Sequence, residues 1–241
     1  KEIELEGGVE HMKAFATSAI REASNREQFV ERVKEKFGFT IEIISGDREA
    51  ELIYKGIRES LLIYNERVLM VDVGGGSNEL IIADREGILY KQSAPLGVIR
   101  VKERIEPSDP ITQDEIERYT QLIDTTLEPF YSVIESYKPT LMIGSSGSFD
   151  TLRELLDPKD NFKIQAKELP LEELSQLHQK LLLTTREERF KMAGMSGLRA
   201  EYMVLGSIFI NHIIERSGIK ELYQSSFSLK EGYMAEFAST L

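Results

Sequence analysis

Apolar residues recur in two rhythms along this chain. Phe29, Val30, Val33 and Phe37 follow helical spacing, which predicts an amphipathic helix over 26–37 with Asn25 as its cap and Gly38 as its end. Thr40 to Ile44 reads as a strand. Ser45-Gly46-Asp47 then turns into a second helix carrying Arg48, Glu49, Ala50, Leu52 and Ile53. After it the rhythm shortens. Met70 to Val73, Leu80 to Ala83 and Ile88 to Tyr90 are brief apolar runs separated by turns, the signature of a β-meander. Thr112 with Glu115 forms a capping box for a long helix that ends near Tyr137, where Pro139 blocks continuation. Leu141-Met142-Ile143 is a short strand, and Phe149 onward is helical. Three more helices are predicted over Leu171–Leu183, Arg186–Met192 and Arg199–Arg216, then a strand over Ile219–Gln224 and a closing helix over Leu229–Phe237. Helix, strand, helix and meander together predict an α/β fold.

The turn inside the meander carries the clearest chemistry. A hydrophobic strand delivers Asp72 to Gly74-Gly75-Gly76, Ser77 and Asn78 follow, and Glu79 opens the next run. Glycines let backbone N–H groups crowd around a phosphate. Two flanking carboxylates can hold Mg²⁺, which takes few protein oxygens and keeps water and phosphate ligands. The other reading is an ordinary hairpin with a glycine tip. A Walker or Rossmann loop would run from strand into helix, whereas this one runs from strand into strand, and no Gly-Lys-Ser/Thr follows. A second loop, Gly144-Ser145-Ser146-Gly147-Ser148, does run into a helix and offers an anion or ribose site; it is equally a common type of turn.

Composition narrows the partners. The chain has 241 residues, enough for one large domain or two lobes, and a net charge of −11. Brute-charge binding of long polyanions calls for a basic protein, so neither nucleic acid nor a membrane surface is an expected partner. There is no Cys, which excludes disulfides and thiolate metal sites and fits a cytoplasmic location. His11, His178 and His212 are scattered, which argues against a zinc site. Met203 to Ile214 is too short to span a membrane and reads as a buried helix. Arg100, Lys102 and Arg104 read as a solvated face rather than a phosphate patch.

Several separated motifs carry a resemblance. They are Ala16 to Asn25, Ile44 to Ile53, Asp72 to Leu80, Pro95 to Arg100, Gly144 to Ser148, Leu198-Arg199-Ala200-Glu201 with Gly206, and Lys230-Glu231-Gly232. In this order the chain resembles the exopolyphosphatase/guanosine pentaphosphate phosphatase family of the actin/sugar-kinase/chaperone-ATPase superfamily. The resemblance implies two ribonuclease-H-like lobes with a cleft between them. It places the remainder of lobe one at 1–65, lobe two at 66–228, and at 229–241 a C-terminal helix packing back on lobe one. It implies that Glu49 positions or deprotonates the attacking water, although the residue taken alone reads as an exposed helix charge. It implies that Asp72 and Glu79 bind Mg²⁺, that the backbone of Gly74–Ser77 cradles terminal phosphates with Asn78 beside it, and that Gly144–Ser148 lies near a nucleoside. Arg21 matches a cleft arginine; taken alone it reads as an intrahelical salt bridge.

The sequence also departs from the family. A first phosphate loop of the type Asp-x-Gly-Ser-Asn-Ser is absent, so the expectation is an incomplete first lobe lacking an N-terminal segment. Glu201 stands where Asp is usual, and Lys230 where Arg is usual. The end soon after Gly232 looks like the short, two-lobe type. The expected activity is Mg²⁺-dependent release of terminal phosphate from inorganic polyphosphate, guanosine pentaphosphate or both. Acidic charge and shortness lean toward short chains or the nucleotide. The alternatives are a non-catalytic polyphosphate or alarmone sensor and a small-molecule kinase of the same superfamily. A homodimer is the family expectation.

Overall fold

The runs predicted as a meander pair as expected, with the first two buried on both faces and the third half-buried at the sheet edge. The computed structural model describes residues 12–61 and 67–240; His11 and the expected lobe boundary between 65 and 66 lie outside them. β1 (Ala14–Ala16), α1 (Ser18–Arg21), α2 (Arg26–Phe37) and β2 (Ile41–Ile43) come first, followed by α3 (Gly46–Ser60). The meander is β3 (Val68–Val73), β4 (Asn78–Ala83) and β5 (Ile88–Ala94). Then come α4 (Val98–Ile105), α5 (Gln113–Tyr137), β6 (Leu141–Ser145) and α6 (Ser146–Leu156). β7 (Ala166–Glu168), α7 (Leu171–Leu183), α8 (Arg186–Phe190), α9 (Gly197–Ser217), β8 (Glu221–Ser225) and α10 (Leu229–Ala238) complete the order.

The chain divides into two units, Lys1–Gly46 and Asp47–Leu241. In the first, β1 and β2 pair in parallel. α2 spans the predicted range and stops at Gly38, whose φ of 77° suits glycine. Asn25 makes no side-chain cap hydrogen bond, and none of the helix's residues is fully buried. Within its apolar stripe Phe29 and Phe37 are 40% and 61% exposed, and Val30 and Val33 are half-buried.

The second unit is built on a six-stranded sheet ordered β5-β4-β3-β6-β8-β7. β3 runs antiparallel to β4 and parallel to β6, and β6 runs parallel to β8. One face, with Leu69, Val71, Leu80, Ile82, Met142 and Leu222, joins the core formed with α5, α6 and α9. The other face, with Val68, Met70, Ile81, Ala83 and Ile143, is covered by Ala50, Ile53, Tyr54 and Ile57 of α3. That burial places α3 from Asp47 onward with the sheet in the second unit. α9 buries Met203 to Ile210 and Ile213. No helix among the described residues is long and apolar enough to cross a membrane.

α10 docks on α3 through two glycines. A Cβ on Gly56 would lie 1.9 Å from the Ser228 carbonyl oxygen, and one on Gly232 would lie 1.8 Å from the Leu52 carbonyl oxygen. Beyond this contact, Glu236 accepts hydrogen bonds from Arg48 and Lys55 of α3. Those cations hold the Glu236 carboxyl down at about 2.

Two outcomes follow from this joint. Gly56→Ala forces backbone apart and is expected to cost about 3 kcal/mol, read by urea unfolding. Glu236 has a depressed folded-state pKa, so its contribution is present above the unfolded value near 4.5 and fades as pH falls toward 2. Glu236→Gln should therefore be less stable than wild type at pH 7, with the gap closing between pH 4.5 and about 2 in acid-dependent melts.

Candidate functional site

One rung of the sheet is polar across five strands. Ser93 of β5 stands opposite Glu79 of β4, Glu79 opposite Asp72 of β3, Asp72 opposite Ser145 of β6, and Ser145 opposite Ser225 of β8. Two positions back on the same face the three central strands are apolar, with Ile81, Met70 and Ile143 aligned. Side chains alternate along a strand, so Asp72 and Glu79 continue the face that α3 covers. Glu49 lies four residues before Ile53 on that helix, which carries its carboxylate toward the polar rung. Glu49, Asp72 and Glu79 are 8%, 6% and 1% exposed.

Like charges directly opposite on an antiparallel pair destabilise it, and burial adds to the cost. Glu79 registers both. Desolvation, then the charge of Glu49, then that of Asp72 push its pKa up to about 8. Serine hydroxyls offset part of this. Ser77 and Ser93 each donate to Glu79 Oε1 at 2.7 Å. Asp72 Oδ2 accepts from Ser145 at 2.8 Å, Ser146 at 2.5 Å and Ser228 at 2.7 Å. Among the described residues no donor reaches Asp72 Oδ1 or Glu79 Oε2. Two buried carboxylates, each with one oxygen unengaged, suit a hard divalent cation that takes one or two protein carboxylates and completes its shell with water and phosphate. Among the described residues no group of three or more acids or histidines is placed to hold a metal ion.

The glycine turn beside these acids is oriented by α4. Val98 N–H donates to the Gly74 carbonyl, Ile99 and Arg100 N–H to that of Gly75, and Arg100 Nε to that of Gly76 at 2.7 Å. The carbonyls are thereby tied to the first turn of α4. The N–H groups of Gly75, Gly76 and Ser77 have no acceptor among the described residues. Gly97 permits this approach, since a Cβ there would sit 2.4 Å from Gly76 N. A row of unengaged amides is an anion-binding nest.

The structure thus brings Glu49, Asp72, Glu79 and Gly74–Ser77 together. Other expected residues are engaged within the protein. Asn78 is fully buried and its Nδ2 donates to the Leu96 carbonyl, so its side chain anchors the turn and does not face a phosphate. Ser145 and Ser146 give their hydroxyls to Asp72. Gly144 and Ser148 are buried. Gly147 lies under Arg199, whose Nη2 would stand 1.6 Å from a Cβ placed there. Arg21 belongs to the first unit, where its Nη1 donates to the Ile44 carbonyl. Arg100 holds the loop and Lys102 pairs with Glu201, so only Arg104 keeps the solvated role expected of all three. The roles of Ser93, Ser228, Arg100 and Arg199 were not visible in local patterns, because each acts on a residue distant in sequence. A separate cavity of about 270 Å³, lined by Lys102, Asp109, Arg186, Arg189 and Glu201 among others, contains none of the three acids.

The model of the Ppx/GppA phosphatase family matches residues 1–240. The chain belongs to the Ppx/GppA phosphatase family. Among its Ppx/GppA relatives, Exopolyphosphatase 2 of Mycobacterium tuberculosis is 29% identical over 241 residues, covering 95% of this chain and 75% of that protein. The crystal structure of an exopolyphosphatase from Cytophaga hutchinsonii superposes with a TM-score of 0.93 at 34% identity, over 97% of this chain and 76% of that one. The PPX-GPPA enzyme of Aquifex aeolicus gives 0.81 at 28% identity, over 95% and 76%. The Ppx/GppA fold is that of the actin-like ATPases, as the motifs implied.

The facing acids make a direct prediction. Glu79 has a raised folded-state pKa, so its cost to stability grows as pH rises from the unfolded value near 4.5 to about 8; in EDTA Glu79→Gln should therefore be more stable than wild type at about pH 8 by on the order of 1 kcal/mol, with the gap closing toward pH 4.5, measured by chemical unfolding.

Proposed function

We propose that this protein is a Mg²⁺-dependent phosphohydrolase that releases terminal phosphate from inorganic polyphosphate, with guanosine pentaphosphate as a second substrate. The observation that carries the reading is the meeting of three buried carboxylates with a turn whose amides are unengaged. Relatives named exopolyphosphatase support it. Polyphosphate stands first because Ser145 and Ser146 are committed to Asp72 and do not offer hydroxyls to a ribose.

In this reading the N–H groups of Gly75, Gly76 and Ser77 bind the non-bridging oxygens of the terminal phosphoryl group and take up charge as it transfers. Asp72 and Glu79 would hold Mg²⁺, and the bound ion would supply further neutralisation of the phosphoryl oxygens. Glu49 accepts a hydrogen bond from water and aligns it in line with the bridging oxygen. As the water oxygen bonds to phosphorus, the bridging P–O bond breaks and its electron pair stays on the shortened chain. Glu49 receives the water proton, and orthophosphate leaves. Arg21, which the family resemblance assigns to phosphate, lies in the first unit and enters this reading through that resemblance alone.

The test is phosphate release by the full-length protein from polyphosphate and guanosine pentaphosphate in parallel, with Mg²⁺ and with EDTA. Release should require Mg²⁺ and fall by roughly a hundredfold or more in Glu49→Gln, with the fold intact by circular dichroism. Tight substrate binding without release would make the protein a sensor. Phosphate transfer to an acceptor would make it a kinase.

A further inference from the structure

Three hydroxyls from three separate elements converge on one oxygen of Asp72. Ser145 ends β6, Ser146 opens α6, and Ser228 stands just before α10; all three donate to Oδ2, and none to Oδ1. The convergence is built at a cost. Ser146 holds φ at +69°, a left-handed conformation that favours glycine, yet a glycine there would have no hydroxyl to donate. Ser145 is fully buried.

Ser228 is the most distant in sequence and is itself anchored. Its N–H donates to Glu231 Oε2 at 2.9 Å. Its carbonyl packs against Gly56 of α3 at a distance that admits no Cβ. Further along α10, Glu236 accepts from Arg48, the neighbour of Glu49 on α3. One helix therefore grips the rotamer of Asp72 at its start and the helix that bears Glu49 along its length.

We propose that Ser145, Ser146 and Ser228 are positioning residues that saturate Oδ2 of Asp72 and turn Oδ1 toward the cation, so that α10 sets metal affinity without touching the metal. The proposal rests on the reading of Asp72 as a cation ligand. Hydrogen-bond partners that orient a ligand carboxylate act in this way in metal sites generally.

The experiment measures Mn²⁺ affinity of the full chain by calorimetry, without substrate, together with the melting temperature in EDTA. Ser146→Gly is the decisive variant. Glycine accepts the left-handed backbone, so its melting temperature should be no lower than wild type, while Mn²⁺ binding should weaken by about tenfold. A purely structural role for Ser146 leaves the affinity unmoved. Ser228→Ala should weaken binding similarly, and Ser228→Thr, which keeps the hydroxyl, should restore it. Folded Ser146→Gly and Ser228→Ala proteins that both bind Mn²⁺ within about twofold of wild type overturn the clamp. Wild-type binding that is absent, or that survives Asp72→Asn, instead overturns the ligand reading of Asp72 and the clamp with it.

Discussion

Two carboxylates facing each other across a buried hairpin are the constraint around which this protein is arranged. Asp72 and Glu79 occupy opposed positions on β3 and β4, whose side chains two positions back on the same face are apolar. Nothing in sheet packing favours that pairing, and desolvation makes it worse. No Lys or Arg is among the causes that shift Glu79. Five serine hydroxyls are placed there instead, and they leave one oxygen of each acid unengaged. Neutral donors hold the carboxylates in position while leaving the local field negative. A cation paired in their place would have neutralised it.

The same economy governs the loop between the two acids. Its carbonyls are drawn to one side by the first turn of α4 and by Arg100, so its amides face the other. Helix N-termini ordinarily have N–H groups without partners. Here those donors orient the loop, which in turn presents donors of its own. The arrangement depends on close backbone approach at Gly97, and the α3–α10 joint depends in the same way on Gly56 and Gly232. Glycine serves at these places because there is no room for a methyl group, not because of any unusual dihedral angle.

Local patterns made much of this legible. Alternation and turn signals are short-range, so β3, β4, β5 and β6 were readable, and the capping box at Thr112 and Glu115 was visible as spacing. β7, three residues at a sheet edge, carries too little pattern to read, and α4 was legible as a motif but not as a helix. The stripe of α2 was read correctly as a pattern, but periodicity says which face is apolar and not what covers it. Asn78 shows the limit most plainly. Its place after the glycines suggested phosphate, whereas its amide is turned inward to Leu96.

Sequence alone determined the α/β class, the strand–glycine–strand loop, and the acids flanking it, because these are set by residue type and near-neighbour spacing. The family motifs added the candidate role of Glu49. Tertiary structure alone decided which carboxylates meet, which hydroxyls serve them and which way the loop amides point. Those outcomes depend on strand register, on the face α3 covers and on where α10 returns. Contacts such as that of Ser228 with Asp72 join residues more than 150 positions apart, a separation that no local pattern encodes.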